Sequence, residues 1–381
     1  MTCKRNGKYR SHLRNEMTLV QENKNILVTL KRKRPKNISN IKQVYNIQYQ
    51  TNKALQENRT EMQQLLKLLD DNNYVSRYQT CKDGVTIRYI FWTHLDSIKL
   101  FIMFPTVLIL DSTYKTNKYR LSLLEMVDVI SIEKAYYVGL TLLESEKKES
   151  VTWALEVCRA MLKEQEKMHK VIVINRDTAL INSVAKIFPT FYALLCRYHI
   201  TNNVKSRVKP AMKEKIVCTW TDQIRHLRNT TTNRFEYAHA KLKNQLENSK
   251  HDLCRDCDSV NQMIQNQHNE IQILFGRSIT IFEQRFKDNN LYSQLVGNIS
   301  RASLNYIFHE AKLVANVGLD SAKCGCTIVK IYGLQCACVI AKKKKLCSPI
   351  RMDEVFTHLK RLRFDDNCVM KDGKSNISLT E

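Results

Sequence analysis

Apolar residues along this chain fall into two patterns, short β-branched runs and helical stripes, and the two follow one another in a regular order. Val107-Leu108-Ile109-Leu110 and Val171-Ile172-Val173-Ile174 are four-residue aliphatic runs, the pattern of strands buried on both faces of a parallel or mixed sheet. Each leads into a polar turn, Asp111-Ser112-Thr113-Tyr114 after the first and Asn175-Arg176-Asp177-Thr178 after the second. Residues 121–130 and 135–143 read as further strands. Residues 151–167 read as an amphipathic helix with Trp153, Leu155, Val157, Cys158 and Met161 on its inner side. A helix over 179–187 and a strand at 192–196 follow. Upstream, Thr60 is placed to cap a helix whose Met62, Leu65, Leu66 and Leu69 share one face. Residues 74–80 and 85–92 flank Cys81-Lys82-Asp83-Gly84, a hairpin signal with Asp-Gly at its tip. Residues 96–104 predict a short helix, ended by Pro105.

From residue 105 the order is three strands, helix, strand, helix, strand, helix. That order resembles a ribonuclease-H-like fold, an α/β architecture with a mixed five-stranded sheet and flanking helices. Its first and fourth strands lie side by side, which brings Asp111 near residues 175–177. Polar groups at the carboxyl ends of such strands are where α/β sheets gather their chemistry. Beyond residue 200 the pattern is mostly helical to about 313, then Cys-rich over 324–347, then basic. The expected organisation is a basic arm at 1–60, a helix and hairpin at 61–104, the core at 105–250, a helical region at 251–315, a Cys-rich element at 316–348 and a basic tail at 349–381.

Charge sharpens this picture. The 381 residues carry a formal net charge of +24. Residues 1–60 hold 14 basic against 3 acidic side chains, residues 61–200 hold 18 against 16, and residues 201–381 hold 29 against 18. A near-neutral middle with basic ends points to a polyanionic partner, DNA above all. Lys31-Arg32-Lys33-Arg34-Pro35-Lys36 has the composition of a nuclear localisation signal, so the nucleus is the expected compartment. The opening Met1-Thr2-Cys3-Lys4-Arg5-Asn6 is polar and basic, unlike an export signal. The longest apolar run, residues 100–110, falls far short of the roughly 20 residues that cross a bilayer, so no membrane partner is expected. The 13 cysteines are therefore expected to be reduced or metal-bound. Cys324-x-Cys326 and Cys336-x-Cys338 make two thiolate pairs nine residues apart, which can close tetrahedrally on zinc. Cys347 is a spare ligand. Cys254-x-x-Cys257 has no matching second pair nearby.

Several strings carry a closer likeness: VLILDSTYKTN at 107–117, VIVINRDTALINSVAKIFP at 171–189, ALLCRYHITNNV at 193–204, TTNRFEYAHAKLKNQL at 231–246 and CGCTIVKIYGLQCAC at 324–338. In this order they resemble the Mutator-like element (MULE) transposases and their domesticated plant relatives, transcription factors of the far-red-impaired-response type. The resemblance implies a ribonuclease-H-like domain with an Asp-Asp-Glu triad holding Mg²⁺ or Mn²⁺. It also implies a SWIM-like zinc element and a tendency to homo-oligomerise. It places the first acid at Asp111, the third at Glu236, and the family's Cys-x-x-His pair at Cys196 and His199. The second acid falls on Asn175.

The chain departs from the family in other ways. Only 36 residues separate His199 from Glu236, where the family carries a longer helical insertion. The SWIM-like element ends Cys336-Ala337-Cys338 instead of Cys-x-His. Cys3 and His12 are the only candidate ligands for an amino-terminal zinc module.

Two adjacent magnesium ions need several anionic oxygens, and an asparagine supplies a carbonyl without charge. Asp177 is close enough in sequence to substitute, but it is also placed to cap the helix that follows. Glu236 likewise sits at capping-box spacing from Asn233. The expectation is a degenerate transposase, DNA-binding but catalytically silent. The alternatives are an active transposase using Asp111, Asp177 and Glu236, and a domesticated transcription regulator.

Overall fold

The computed structural model describes residues 59–113, 119–161, 171–197, 222–230, 253–287 and 289–364, with isolated positions elsewhere. Helix α1 (Glu61–Asp71) starts at a reciprocal cap: Gln63 N–H donates to Thr60 Oγ1, and Thr60 N–H donates to Gln63 Oε1. Strands β1 (Tyr74–Thr80) and β2 (Ile87–His94) form the expected hairpin. At its tip Asp83 accepts the backbone N–H groups of Val85 and Thr86, and Gly84 takes a left-handed φ of 67°. Helix α2 (Leu95–Met103) then leads to β3 (Val107–Thr113), β4 (Ser122–Val129) and β5 (Ala135–Leu143). Helix α3 (Lys148–Ala160), β6 (Val171–Ile174), α4 (Thr178–Ile187) and β7 (Tyr192–Leu195) follow.

All seven strands share one sheet in the order β1-β2-β5-β4-β3-β6-β7. β3 and β6 are parallel neighbours, Val107 opposite Val171 through Leu110 opposite Ile174, as the matched aliphatic runs predict. β6 and β7 are also parallel, and the remaining pairs are antiparallel. The expected five-stranded sheet is thus corrected to seven. The hairpin does not stand apart, because β2 pairs with β5 from Tyr89–Leu143 to Trp92–Leu140. Gly139 permits this close approach: a Cβ there would lie 2.7 Å from Phe91 Cζ.

Alternate residues of the central strands serve two cores, which is why their sequence is continuously apolar. Ile109, Val127 and Val173 pack with α1 and the first half of α5 (Leu253–Thr280). Leu110, Met126 and Ile174 face α2, α3 and α4. The carboxyl-terminal part comprises α6 (Gln284–Lys287), α7 (Arg301–Val317), α8 (Ser321–Cys324), α9 (Thr327–Tyr332), α10 (Ala337–Lys345) and α11 (Thr357–Lys360).

His358 of α11 ties this part to the sheet. Its Nδ1 lies 2.9 Å from Oγ1 of Thr106, the residue before β3, and the ring packs edge-on to Phe104. The side chain is 1 % exposed. Burial, reinforced by the Arg361 charge, pushes the imidazole pKa down to about 3. The folded state therefore refuses a proton that the unfolded chain accepts near pH 6.5. Stability from this residue is complete above pH 6.5 and is lost progressively as pH falls toward 3. The expected loss between pH 7 and 5 is on the order of 2 kcal/mol. His268, held down to about 4 by burial, loses stability over the same window, so urea unfolding at both pH values should show a loss that is smaller by about this amount in His358→Gln than in the native sequence.

Candidate functional site

β3 continues past its aliphatic run, so Asp111 is a strand residue and not the start of a turn. It pairs across the ladder with Glu125 of β4 and stands beside the end of β6. Asn175 Nδ2 donates to Asp111 Oδ1 at 2.7 Å, and Ser112 N–H donates to the same oxygen at 2.9 Å. The other end of the Asn175 amide is also used, since its Oδ1 accepts Asp177 N–H at 3.0 Å. Asp177 turns to its own helix, where Oδ1 accepts Leu180 N–H at 2.7 Å as the N-cap of α4. Asp111 and Asn175 are therefore brought together as the sequence implied. Asp177 serves as a cap, and its cap oxygen is directed to Leu180. Chemically, amide and backbone donors now satisfy an oxygen that could otherwise ligate a cation.

Sequence reasoning passed over Glu125. It is fully buried on the face that carries Asp111, and it accepts Tyr137 O–H at 3.1 Å. Asp128, three residues on, is also fully buried and accepts Val129 N–H at 2.6 Å. Burial, and then these carboxylates, push the Tyr137 and Tyr136 hydroxyls well above the usual tyrosine range. The missed signal was two acids among the apolar residues that follow Ser122 in an eight-residue strand. Cys196, just after β7, is buried, and its N–H donates to Ile174 O at 2.8 Å. Its expected partner His199, the third acidic position Glu236 and the basic cluster Lys31, Arg32, Lys33, Arg34 and Lys36 lie outside the described residues.

The four cysteines converge. One Sγ from each of Cys324, Cys326, Cys336 and Cys338 lies within 4.8 Å of all the others. Three of these separations are 3.4 Å (336 to 338), 3.6 Å (326 to 336) and 3.7 Å (326 to 338). A tetrahedral zinc with bonds of about 2.3 Å requires sulfurs about 3.8 Å apart, so the thiols are already spaced for one ion. The backbone is bent to present them: Gly325 and Cys326, between α8 and α9, both have left-handed φ, 63° and 50°. Cys336 stands at the N-cap position of α10 with its thiol not used for capping, and burial pushes that thiol up to about 11. None of the four is in a disulfide.

This element is seated firmly. The hydroxyls of Tyr332 and Tyr306 both donate to Glu133 Oε1, in the β4–β5 turn, at 2.9 and 2.7 Å. Ala337 N–H donates to Glu310 Oε2 at 2.9 Å, and Phe356 N–H donates to Gly333 O at 3.1 Å. Of the four consecutive lysines Lys342, Lys343, Lys344 and Lys345 in α10, Lys343 pairs with Glu354 at 2.7 Å and Lys344 donates to Ala311 O at 3.2 Å. Two of them thus have structural partners. Cys257 packs on the α1 side of the sheet, where burial pushes its thiol up to about 12. Among the described residues no helix is long and apolar enough to cross a membrane.

Residues 107–203 match the model of the MULE transposase domain. A stretch of 127 residues is 25 % identical to the putative protein FAR1-RELATED SEQUENCE 10 of Arabidopsis thaliana. That likeness covers 33 % of this chain and 18 % of the plant protein, so less than a fifth of that relative's length is matched.

Proposed function

We propose, for a chain that carries a MULE transposase domain at residues 107–203, that it is a transposon-derived nuclear DNA-binding protein whose strand-cutting centre is silent. The observation that carries this reading is the 2.7 Å hydrogen bond from Asn175 to Asp111. An Asp-Asp-Glu centre of Asp111, residue 175 and Glu236 would hold two divalent ions through shared carboxylates. With an amide at the second position, charge is missing and a donor N–H faces the first acid. The strand order β5-β4-β3-β6-β7 supports a ribonuclease-H-like core. The likeness to a FAR1-related protein favours nuclear, regulatory use of DNA binding over mobility. Robust Mn²⁺-dependent strand transfer by the unaltered protein would overturn the reading.

The cysteine cluster is the proposed zinc site, with Cys324, Cys326, Cys336 and Cys338 as a closed thiolate set. Such a site supplies structure and leaves no open position for chemistry.

DNA contact is assigned to the basic ends of the chain, mainly through phosphates. Affinity should then fall about a thousandfold from 50 to 200 mM salt if roughly six phosphates are contacted. Deleting residues 1–36 removes the Lys31–Lys36 cluster and should flatten the salt slope, read by fluorescence anisotropy on a duplex. An unchanged slope would remove the amino-terminal arm from the interface.

A further inference from the structure

Residues 222–230 form an irregular segment that joins the sheet to the cysteine element. At one end Arg197 N–H, just past β7, donates to Thr230 O at 2.7 Å. Strands β3, β6 and β7 run parallel, so this is the edge of the sheet at which Asp111 and Asn175 stand. Further back, Leu227 N–H donates to Ile331 O of α9 at 3.2 Å, and the Leu227 side chain is buried in the core. Leu227 and Arg228 both take left-handed φ, 49° and 60°, which residues other than glycine seldom adopt. Asn229 Nδ2 holds that turn by donating to the carbonyls of His226 and Leu227 at 3.1 and 3.0 Å. Strain of this kind gathers where a fold positions side chains for a ligand.

Arg225, in the same segment, rests on a built platform. Its guanidinium lies over the Phe356 ring, 4.3 Å from the centroid, beside Gly333 at the carboxyl end of α9. Glycine is required there: φ is 68°, and a Cβ would lie 2.7 Å from Phe356 Cβ and 3.4 Å from Arg225 Cζ. Burial alone pulls the Arg225 pKa down, with no carboxylate among the described residues raising it again. The side chain as a whole stays exposed. Lys330, three residues before Gly333, is exposed as well, and its Nζ donates to a neutral partner, Gln223 Oε1, at 3.3 Å. A guanidinium stacked on an aromatic face keeps its fork of N–H donors for an oxyanion, and phosphate fits that fork in two-point fashion. Residues 201–381 hold 29 basic against 18 acidic side chains, which favours a polyanion over a single small anion. On the DNA-binding reading above, we propose that Arg225 and Lys330 grip the phosphate backbone of duplex DNA. The grip sits on the segment that links the Asp111 edge of the sheet to the cysteine element, so DNA held there is placed by both.

Fluorescence anisotropy of the full-length protein on labelled duplexes of different sequence, taken from 50 to 200 mM salt, tests this contact. Arg225→Gln with Lys330→Gln should reduce the slope of log affinity against log salt by about 2, one for each phosphate contact, and equally on every duplex. Arg225→Lys keeps the charge and should keep the slope, while binding weakens because the planar fork is gone. Lys330→Gln alone, at an exposed position of α9, should reduce the slope by about 1 with zinc content and Tm unchanged, so the answer does not depend on how Arg225 variants fold. A steep slope in the unaltered protein that the double variant retains would overturn this contact and leave the DNA-binding reading standing. An unaltered protein that ignores the duplexes would overturn both.

Discussion

Replacing Cys336 and Cys338 by serine is expected to remove one zinc per chain and to lower Tm by at least about 10 °C. Structural zinc contributes about 10–16 kcal/mol in small zinc-finger peptides, where metal binding and folding are one event. Here packing supplies part of the order, because Ile331, Tyr332, Leu334 and Ile340 belong to the core that packs on α1 and the sheet. A loss of roughly 5 kcal/mol is therefore the working figure, and each kcal/mol is worth about 2–4 °C in a domain of this size. Without the ion, four thiols within 4.8 Å repel one another as they ionise. The left-handed backbone at Cys326 then loses what holds it in place. The disturbance reaches the sheet through Tyr332 and Glu133. Elemental analysis and a thermal melt check this together, and a strong chelator should reproduce the variant. Full zinc content in the double variant would refute the assignment.

Asn175→Asp is expected to destabilise the metal-free protein by about 2–4 kcal/mol and to make its stability depend on Mn²⁺. The substitution trades a 2.7 Å donor on the Asp111 carboxylate for a second carboxylate at the same distance. A hydrogen bond to a charged group, worth about 1.5–3 kcal/mol, is lost, and like-charge repulsion adds to the loss. A divalent ion reverses the sign by bridging the two acids. Millimolar Mn²⁺ should raise the melting temperature of the variant and leave the native sequence unmoved, with Asn175→Ala unresponsive as the control. Strand transfer should stay absent in the variant, because the segment between His199 and Glu236 remains short. A variant whose melting ignores Mn²⁺ would mean that residue 175 is not the second acidic position.

Much of this was legible in the residues themselves. Two matched β-branched runs specified buried strands, and Val107–Leu110 lies in parallel register against Val171–Ile174 with both faces of each run covered by the two cores. Thr60 with Gln63, and Asp83 with Gly84, fixed a helix start and a turn through hydrogen bonds only a few residues long. The Cys-x-Cys spacing marked the four thiols that converge, one pair on each side of the short helix α9. These are local effects, written within a dozen or so residues.

Tertiary structure alone decided the rest. Nothing local in the hairpin says that β2 will pair with β5, because open strand edges look alike in sequence and the choice depends on Gly139 making room for Phe91. Asp111 meeting Glu125 is a matter of register between strands, and a shift of one residue would have put them on opposite faces. The cap at Asp177 is by contrast a local effect that its place before Thr178 already indicated, with Leu180 N–H three residues on taking the carboxylate. The contacts that seat the buried His94 and His268 rings, to Gln265 and Ser97, each join residues 171 positions apart. Such a meeting has no signature in the sequence, because it exists only once α5 has packed against the end of β2.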